Sequence, residues 1–138
     1  MELVALTTLS MPMKKPLLLP QSPAGTRVIV ELFGITAEGP RLTAIQTGPA
    51  GDWLHVGPEN TASLDFRFSL LTHDGALIYV TGQGRTDAQR FASGQAPLYF
   101  APVFETGDAR YAWLNRVVGV ARGVTHGDVV VFDVYEAR

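Results

Sequence analysis

Hydrophobic positions fall in short runs, and each run is broken after a few residues by Gly, Pro, Asn or Asp. That rhythm is the mark of strands at regular spacing. The breaks are Gly39-Pro40, Gly48-Pro49-Ala50-Gly51, Gly57-Pro58-Glu59-Asn60, His73-Asp74-Gly75, Thr106-Gly107-Asp108 and the stretch 123–127. Each holds a residue whose φ is free to be positive or is locked, as a chain reversal requires. The pattern predicts strands over 2–9, 27–35, 41–47, 52–57, 62–72, 76–83, 98–105, 111–121 and 128–136.

The last of these, Asp128-Val129-Val130-Val131-Phe132-Asp133-Val134-Tyr135, is β-branched or aromatic almost throughout. Both its faces are apolar, so both are expected to be covered. Strands 62–72 and 76–83 read as a hairpin closed at Asp74-Gly75. One short helix is predicted, with Asp87 capping Ala88-Gln89-Arg90-Phe91-Ala92-Ser93 and Gly94 ending it. Segment 10–26 holds four prolines and reads as an extended loop with room for a short edge strand at 17–19. Eight or nine mostly sequential strands joined by short links favour antiparallel neighbours. Closure removes the exposed edges such a sheet would otherwise carry. The expected fold is therefore all-β: one antiparallel β-barrel of about 8–10 strands filling residues 1–138 as a single domain. A barrel of this size holds packed side chains or one small ligand.

Composition narrows the function classes. Charged residues are 17% of the chain and the net charge is -2, with no basic stripe, which argues against a nucleic-acid partner. The low charged fraction points to covered surface, in a ligand lumen or in a homo-oligomer interface. The absence of cysteine removes disulfides, thiolate catalysis and thiolate metal sites, and it fits a cytoplasmic protein. The start Met1-Glu2-Leu3-Val4 lacks the basic region of a signal peptide, and the apolar run at 17–19 is far too short to span a membrane.

Three longer stretches carry a family resemblance. They are Leu64-Asp65-Phe66-Arg67-Phe68, Asp74-Gly75-Ala76-Leu77-Ile78-Tyr79-Val80, and the run from Phe104-Glu105-Thr106-Gly107 to Trp113-Leu114-Asn115-Arg116. Gly39-Pro40-Arg41-Leu42, Asp52-Trp53 and Asp133-Val134-Tyr135 support them. Together they resemble the domain-of-unknown-function family 3237 over nearly the whole chain. The resemblance implies a small cytoplasmic β-barrel and assigns no general activity.

Candidate chemistry follows from alternation. Asp65, Arg67 and Ser69 share one face of their strand, and Phe66, Phe68 and Leu70 share the other. Either the rings fill the core and the polar trio faces water, or Asp65 and Arg67 turn into the lumen and the rings lie under another layer. Glu105 ends an apolar strand, where desolvation would suit a general acid or base. Tyr79, Trp53, Tyr111, Trp113 and Asn115 stand on predicted strands and could wall a pocket for a planar organic ligand. Arg41 follows a Gly-Pro turn and could bind an anionic group. The histidines His55, His73 and His126 show no metal-ligand spacing. No nucleophile elbow or dinucleotide fingerprint is present.

The leading expectation is a cofactor-independent enzyme of isomerase, cyclase or lyase type, acting on a small, partly apolar organic molecule in the lumen. Glu105 or Asp65 would move the proton, Arg67 would hold an oxyanion or carboxylate, Tyr79 would donate a hydrogen bond, and Trp53 and Trp113 would shape the wall. A non-catalytic binder of a small hydrophobic ligand needs the same cavity. An oligomeric structural protein needs only a filled barrel.

Overall fold

A computed structural model describes residues 1–138. Its architecture follows from alternation. Along β7 (Thr61–Thr72) Ala62, Leu64, Phe66, Phe68, Leu70 and Thr72 are buried, while Asp65, Arg67 and Ser69 lie on the opposite face. In β8 (Leu77–Asp87) Ile78 and Val80 point inward, and in β9 (Leu98–Glu105) Leu98, Phe100 and Phe104 do. β10 (Gly119–His126) and β11 (Val129–Ala137) complete this wall, with Ala121, Val130, Phe132 and Val134 inside. β1 (Leu3–Pro12) returns antiparallel to β11 through a bulge between Ala5 and Thr7.

The ring then closes through two short strands. β4 (Thr36–Glu38) pairs with β1, β5 (Ala44–Gln46) pairs with β4, and β5 joins β7 at its Leu70–Thr72 end. The result is a closed eight-stranded antiparallel barrel: β7, β8, β9, β10, β11, β1, β4, β5 and back to β7. Toward the other end of β7 the wall is continued by β6 (Gly51–Val56) and β3 (Gly25–Glu31). β2 (Leu17–Ser22) lies on the free side of β3, so it is the edge strand that the proline-rich segment foreshadowed. No helix is long and apolar enough to cross a membrane.

Asp74-Gly75 closes the β7–β8 hairpin with Gly75 at φ +89°. Helix α1 (Ala88–Ala92) is capped as predicted: Asp87 accepts from the Arg90 amide at 2.9 Å, and Gly94 ends it at φ +77°. Segment 10–26 is mostly strand and not loop, since β1 runs to Pro12, β2 spans Leu17–Ser22 and β3 starts at Gly25, and one predicted strand is misplaced. Of the predicted strand 111–121 only the last three residues are strand; 3-10 turns span Ala109–Arg116, and the strand begins at Gly119. The Asp108 carboxylate accepts from the Arg110 amide and starts the turns. Tyr111 and Leu114, three residues apart, are both buried, which is the repeat of a 3-10 helix and not of a strand.

The middle of the barrel is filled by rings. Phe66 and Phe100 lie 4.7 Å apart, and Phe132 meets Phe100 edge-on at 4.9 Å. Glycine makes the room: a Cβ on Gly123 would stand 2.4 Å from the Phe132 ring, and one on Gly82 would stand 2.5 Å from the Phe100 ring.

Candidate functional site

The filling stops short at the end of the barrel that carries α1. There a cavity of about 140 Å³ lies between the Phe66 and Phe132 rings, the β3–β6 wall and α1, which contributes Ala88 and Phe91. Of its fifteen lining residues thirteen are hydrophobic, and the other two are Asp52 and Thr86. Thr86 gives its hydroxyl hydrogen to the Pro97 carbonyl at 3.2 Å. Asp52 is thus the one ionisable group in an apolar chamber.

Strand alternation puts it there. Asp52 and Leu54 share the inner face of β6 and line the cavity, while Trp53 between them is on the outside and more than a third exposed. Asp52 pairs across the ladder with Phe66 and is 3% exposed. The β6–β7 ladder runs in register at Gly51↔Arg67 and Asp52↔Phe66 and again at His55↔Ser63 and Val56↔Ala62, with no pairing between. In that gap the amide of Asp65 donates to Asp52 Oδ1 at 2.8 Å instead of to a β6 carbonyl. The Trp53 carbonyl, left free, accepts from Arg27 Nη1 at 2.8 Å. Asp52 Oδ2 accepts no hydrogen bond from the protein. Burial pushes the Asp52 carboxyl up to about 7, with a smaller push from the Asp65 charge and an opposing pull from the Asp65 amide. Near neutral pH this group can both give and take a proton.

The residues expected to carry chemistry lie elsewhere. Asp65 and Arg67 face outward, 3.3 Å apart, so the inward orientation is overturned: the rings of β7 fill the barrel and the ion pair stands on its surface. Tyr79 and Glu105 are opposite each other on the outer face of β8 and β9. Asp65, Arg67 and Tyr79 border one shallow outer groove, and Tyr79, Glu105 and Asn115 border a second. None of these five lines the cavity. The physical reason is the ordinary one for sheets, that apolar side chains take the inner face when both cannot.

The remaining candidates are held by the protein itself. Arg41 is bound to Glu136 at 2.5 Å and stacks on Trp113, 4.4 Å from the ring centre. Arg138 also reaches Glu136, at 3.1 Å. The Arg41 hydrogen bond, with that of Arg138, holds the Glu136 carboxyl below the usual range. Arg41 and Trp113 thus meet each other, and neither they nor Trp53 border the cavity. Tyr111 donates to Asp74 Oδ1 at 2.8 Å, pinning the 3-10 turns to the hairpin tip. Asn115 accepts from the Thr106 amide at 2.8 Å and donates to the Thr106 carbonyl at 3.0 Å. It closes the turn after Glu105.

In the sequence Trp53 is the more conspicuous pocket former, and its neighbour Asp52 carries no motif that marks it as an acid. A usable signal was present: Asp52, Leu54 and Val56 share a strand face, and the other two are aliphatic.

Residues 1–137 match the model of a protein family of unknown function, DUF3237. The chain belongs to this family. It is 31% identical over 123 residues to a UPF0311 protein of Bradyrhizobium diazoefficiens, covering 81% of this chain and 80% of that one. A β-barrel-like protein of Acinetobacter baumannii, solved as a crystal structure, superposes with a TM-score of 0.86 at 29% identity, over 99% of this chain and 96% of that chain. An enzyme from Penicillium herquei shares the fold at TM-score 0.75 and 21% identity, over 99% and 94% of the two chains. The family and the barrel are therefore shown, and the fold is one that also occurs in an enzyme.

Proposed function

We propose that this family member is a cofactor-independent enzyme that moves a proton on a small, largely apolar organic molecule held in the cavity, with Asp52 as the acid and base. The observation that carries this reading is one buried, half-satisfied carboxyl in an otherwise apolar chamber at the end of the barrel. In the acid form Asp52 gives its proton to an unsaturated or oxygen-bearing atom of the substrate. The carboxylate left behind is unfavourable in so apolar a setting, and it recovers a proton from a neighbouring substrate position. The net change is a double-bond shift, a ring closure by an internal hydroxyl, or an elimination in which the protonated hydroxyl departs as water while the neighbouring carbon gives its proton to the carboxylate. No redox partner is needed, because the proton lost is the proton regained. The Asp65 amide fixes the rotamer of the carboxyl and leaves Oδ2 for the substrate. That a barrel of this fold serves as an enzyme in Penicillium herquei is compatible with the reading.

The test is proton exchange. Small cyclic enones and β,γ-unsaturated ketones are incubated with the protein in D2O, and carbon-bound deuterium and double-bond position are followed by NMR. Wild type is expected to exchange or isomerise at least one of them, with a rate that falls as pH rises through about 7. Asp52→Asn should be slower by about 10²–10⁴-fold. Equal rates in the two proteins, or none across the panel, would overturn the catalytic reading.

A further inference from the structure

The cavity wall holds no cation. The elements packed around Asp52 present Met11 from β1, Val30 from β3, Leu64 and Phe66 from β7, and Phe132 from β11. Two charges stand behind it on the outer face: the Asp65 carboxylate, which is paired with Arg67, and the Arg27 guanidinium, which is given to the Trp53 carbonyl. A ligand carboxylate or phosphate entering the chamber would thus meet a carboxyl group and no counter-charge. Thr86 has already committed its hydrogen. Among the wall's side chains, the one hydrogen left to offer a ligand is that of the Asp52 carboxyl.

Size adds a second limit. At about 140 Å³ the chamber is near the volume of an apolar cavity that holds one benzene ring, about 150 Å³.

We infer that the cavity selects an uncharged molecule of single-ring size whose one oxygen accepts a hydrogen bond from Asp52, as in a cyclic ketone, aldehyde or ether. The inference rests on the reading above that the ligand sits in this chamber, and it narrows the substrate class. A carboxylate of the same shape is excluded by charge. An amine is the competing class, since a buried carboxylate could hold it as an ion pair; an ion pair in so apolar a site must repay the desolvation of both charges with a single oxygen contact. The neutral oxygen ligand carries no such cost.

Three ligands of one shape decide it: cyclohexanone, cyclohexylamine and cyclohexanecarboxylate. Each is titrated into wild type and Asp52→Asn at pH 5.5 and pH 8.5, with backbone NMR shifts reporting occupancy of the cavity. For wild type, cyclohexanone is expected to bind tightest of the three, and about 30-fold more weakly at pH 8.5 than at pH 5.5 as the carboxyl loses its hydrogen. Asp52→Asn keeps an N–H donor and should bind the ketone with the same affinity at both pH values. The inference is overturned if the amine or the carboxylate binds wild type as tightly as the ketone, if ketone affinity is equal at the two pH values, or if none of the three shifts cavity resonances. Ketone binding with the expected pH dependence but no deuterium exchange would leave the ligand class standing and remove the catalytic reading. Exchange accompanied by pH-independent ketone binding would do the reverse.

Discussion

At the scale of single residues, the site and the core depend on side chains that are absent as much as on those present. Gly123 lies against Phe132, a ring that both fills the barrel and walls the cavity. Gly123→Ala would place a methyl 2.4 Å from that ring, so the ring must shift. The expected cost is about 1–3 kcal/mol in urea or thermal unfolding, as for other overpacked cores. Gly107→Ala, with nothing within 4 Å of its new methyl, should change stability by no more than about 0.5 kcal/mol. Equal effects from the two substitutions would mean the ring has space that the packing denies. Asp52 illustrates the opposite case, where the side chain is present but its surroundings give it its chemistry. Nothing in the letter Asp distinguishes it from Asp65; one is buried among aliphatic and aromatic groups and the other meets water.

Among elements, β7 and β8 were legible because a period of two runs through them without interruption, and because Asp74-Gly75 supplies the reversal. The helix was legible from its cap and its terminal glycine. The 3-10 turns were not, since Tyr111, Trp113 and Asn115 imitate strand alternation over five residues. What settled the conformation was contact with other elements: Tyr111 to the hairpin tip and Asn115 to the Thr106 backbone. Asn115 is therefore a clip, and Asn115→Ala should lower stability by about 1 kcal/mol while leaving ligand affinity in the cavity unchanged. Chemical denaturation and the ketone titration check the two halves of that statement. A loss of ligand binding without a loss of stability would return Asn115 to the role of a pocket residue. The interrupted β6–β7 ladder belongs to this scale as well. A strand gives up backbone pairing there, and a carboxyl group takes the vacant amide.

For the molecule as a whole, pH joins the buried site to global stability. Asp52 has its carboxyl raised from 3.8 to about 7, so the folded state keeps a proton that the unfolded chain releases. Its contribution is fully present below pH 3.8 and is lost as pH rises to about 7, a fall of at most roughly 4 kcal/mol. Asp108, held down to about 2 by its hydrogen bonds to Arg110, acts in the other direction, as do Asp74 and Glu136. Their stabilisation is present above the ordinary carboxylate range and is lost as pH falls below it. Wild type should therefore show its highest Tm near pH 4–5, with a decline toward pH 8 that Asp52→Asn flattens. A wild-type Tm that stays level or rises from pH 5 to pH 8 would contradict the buried-acid assignment. From sequence alone came the strands, the turns and the expectation of a closed barrel, because local periodicity and turn chemistry act over a few residues. Tertiary structure alone decided which strand faces became interior, where the packing left a void, and that Asp52 faces that void. Those outcomes depend on β6, β7, β11 and α1 meeting in space, and strand alternation leaves two faces open until a partner covers one of them.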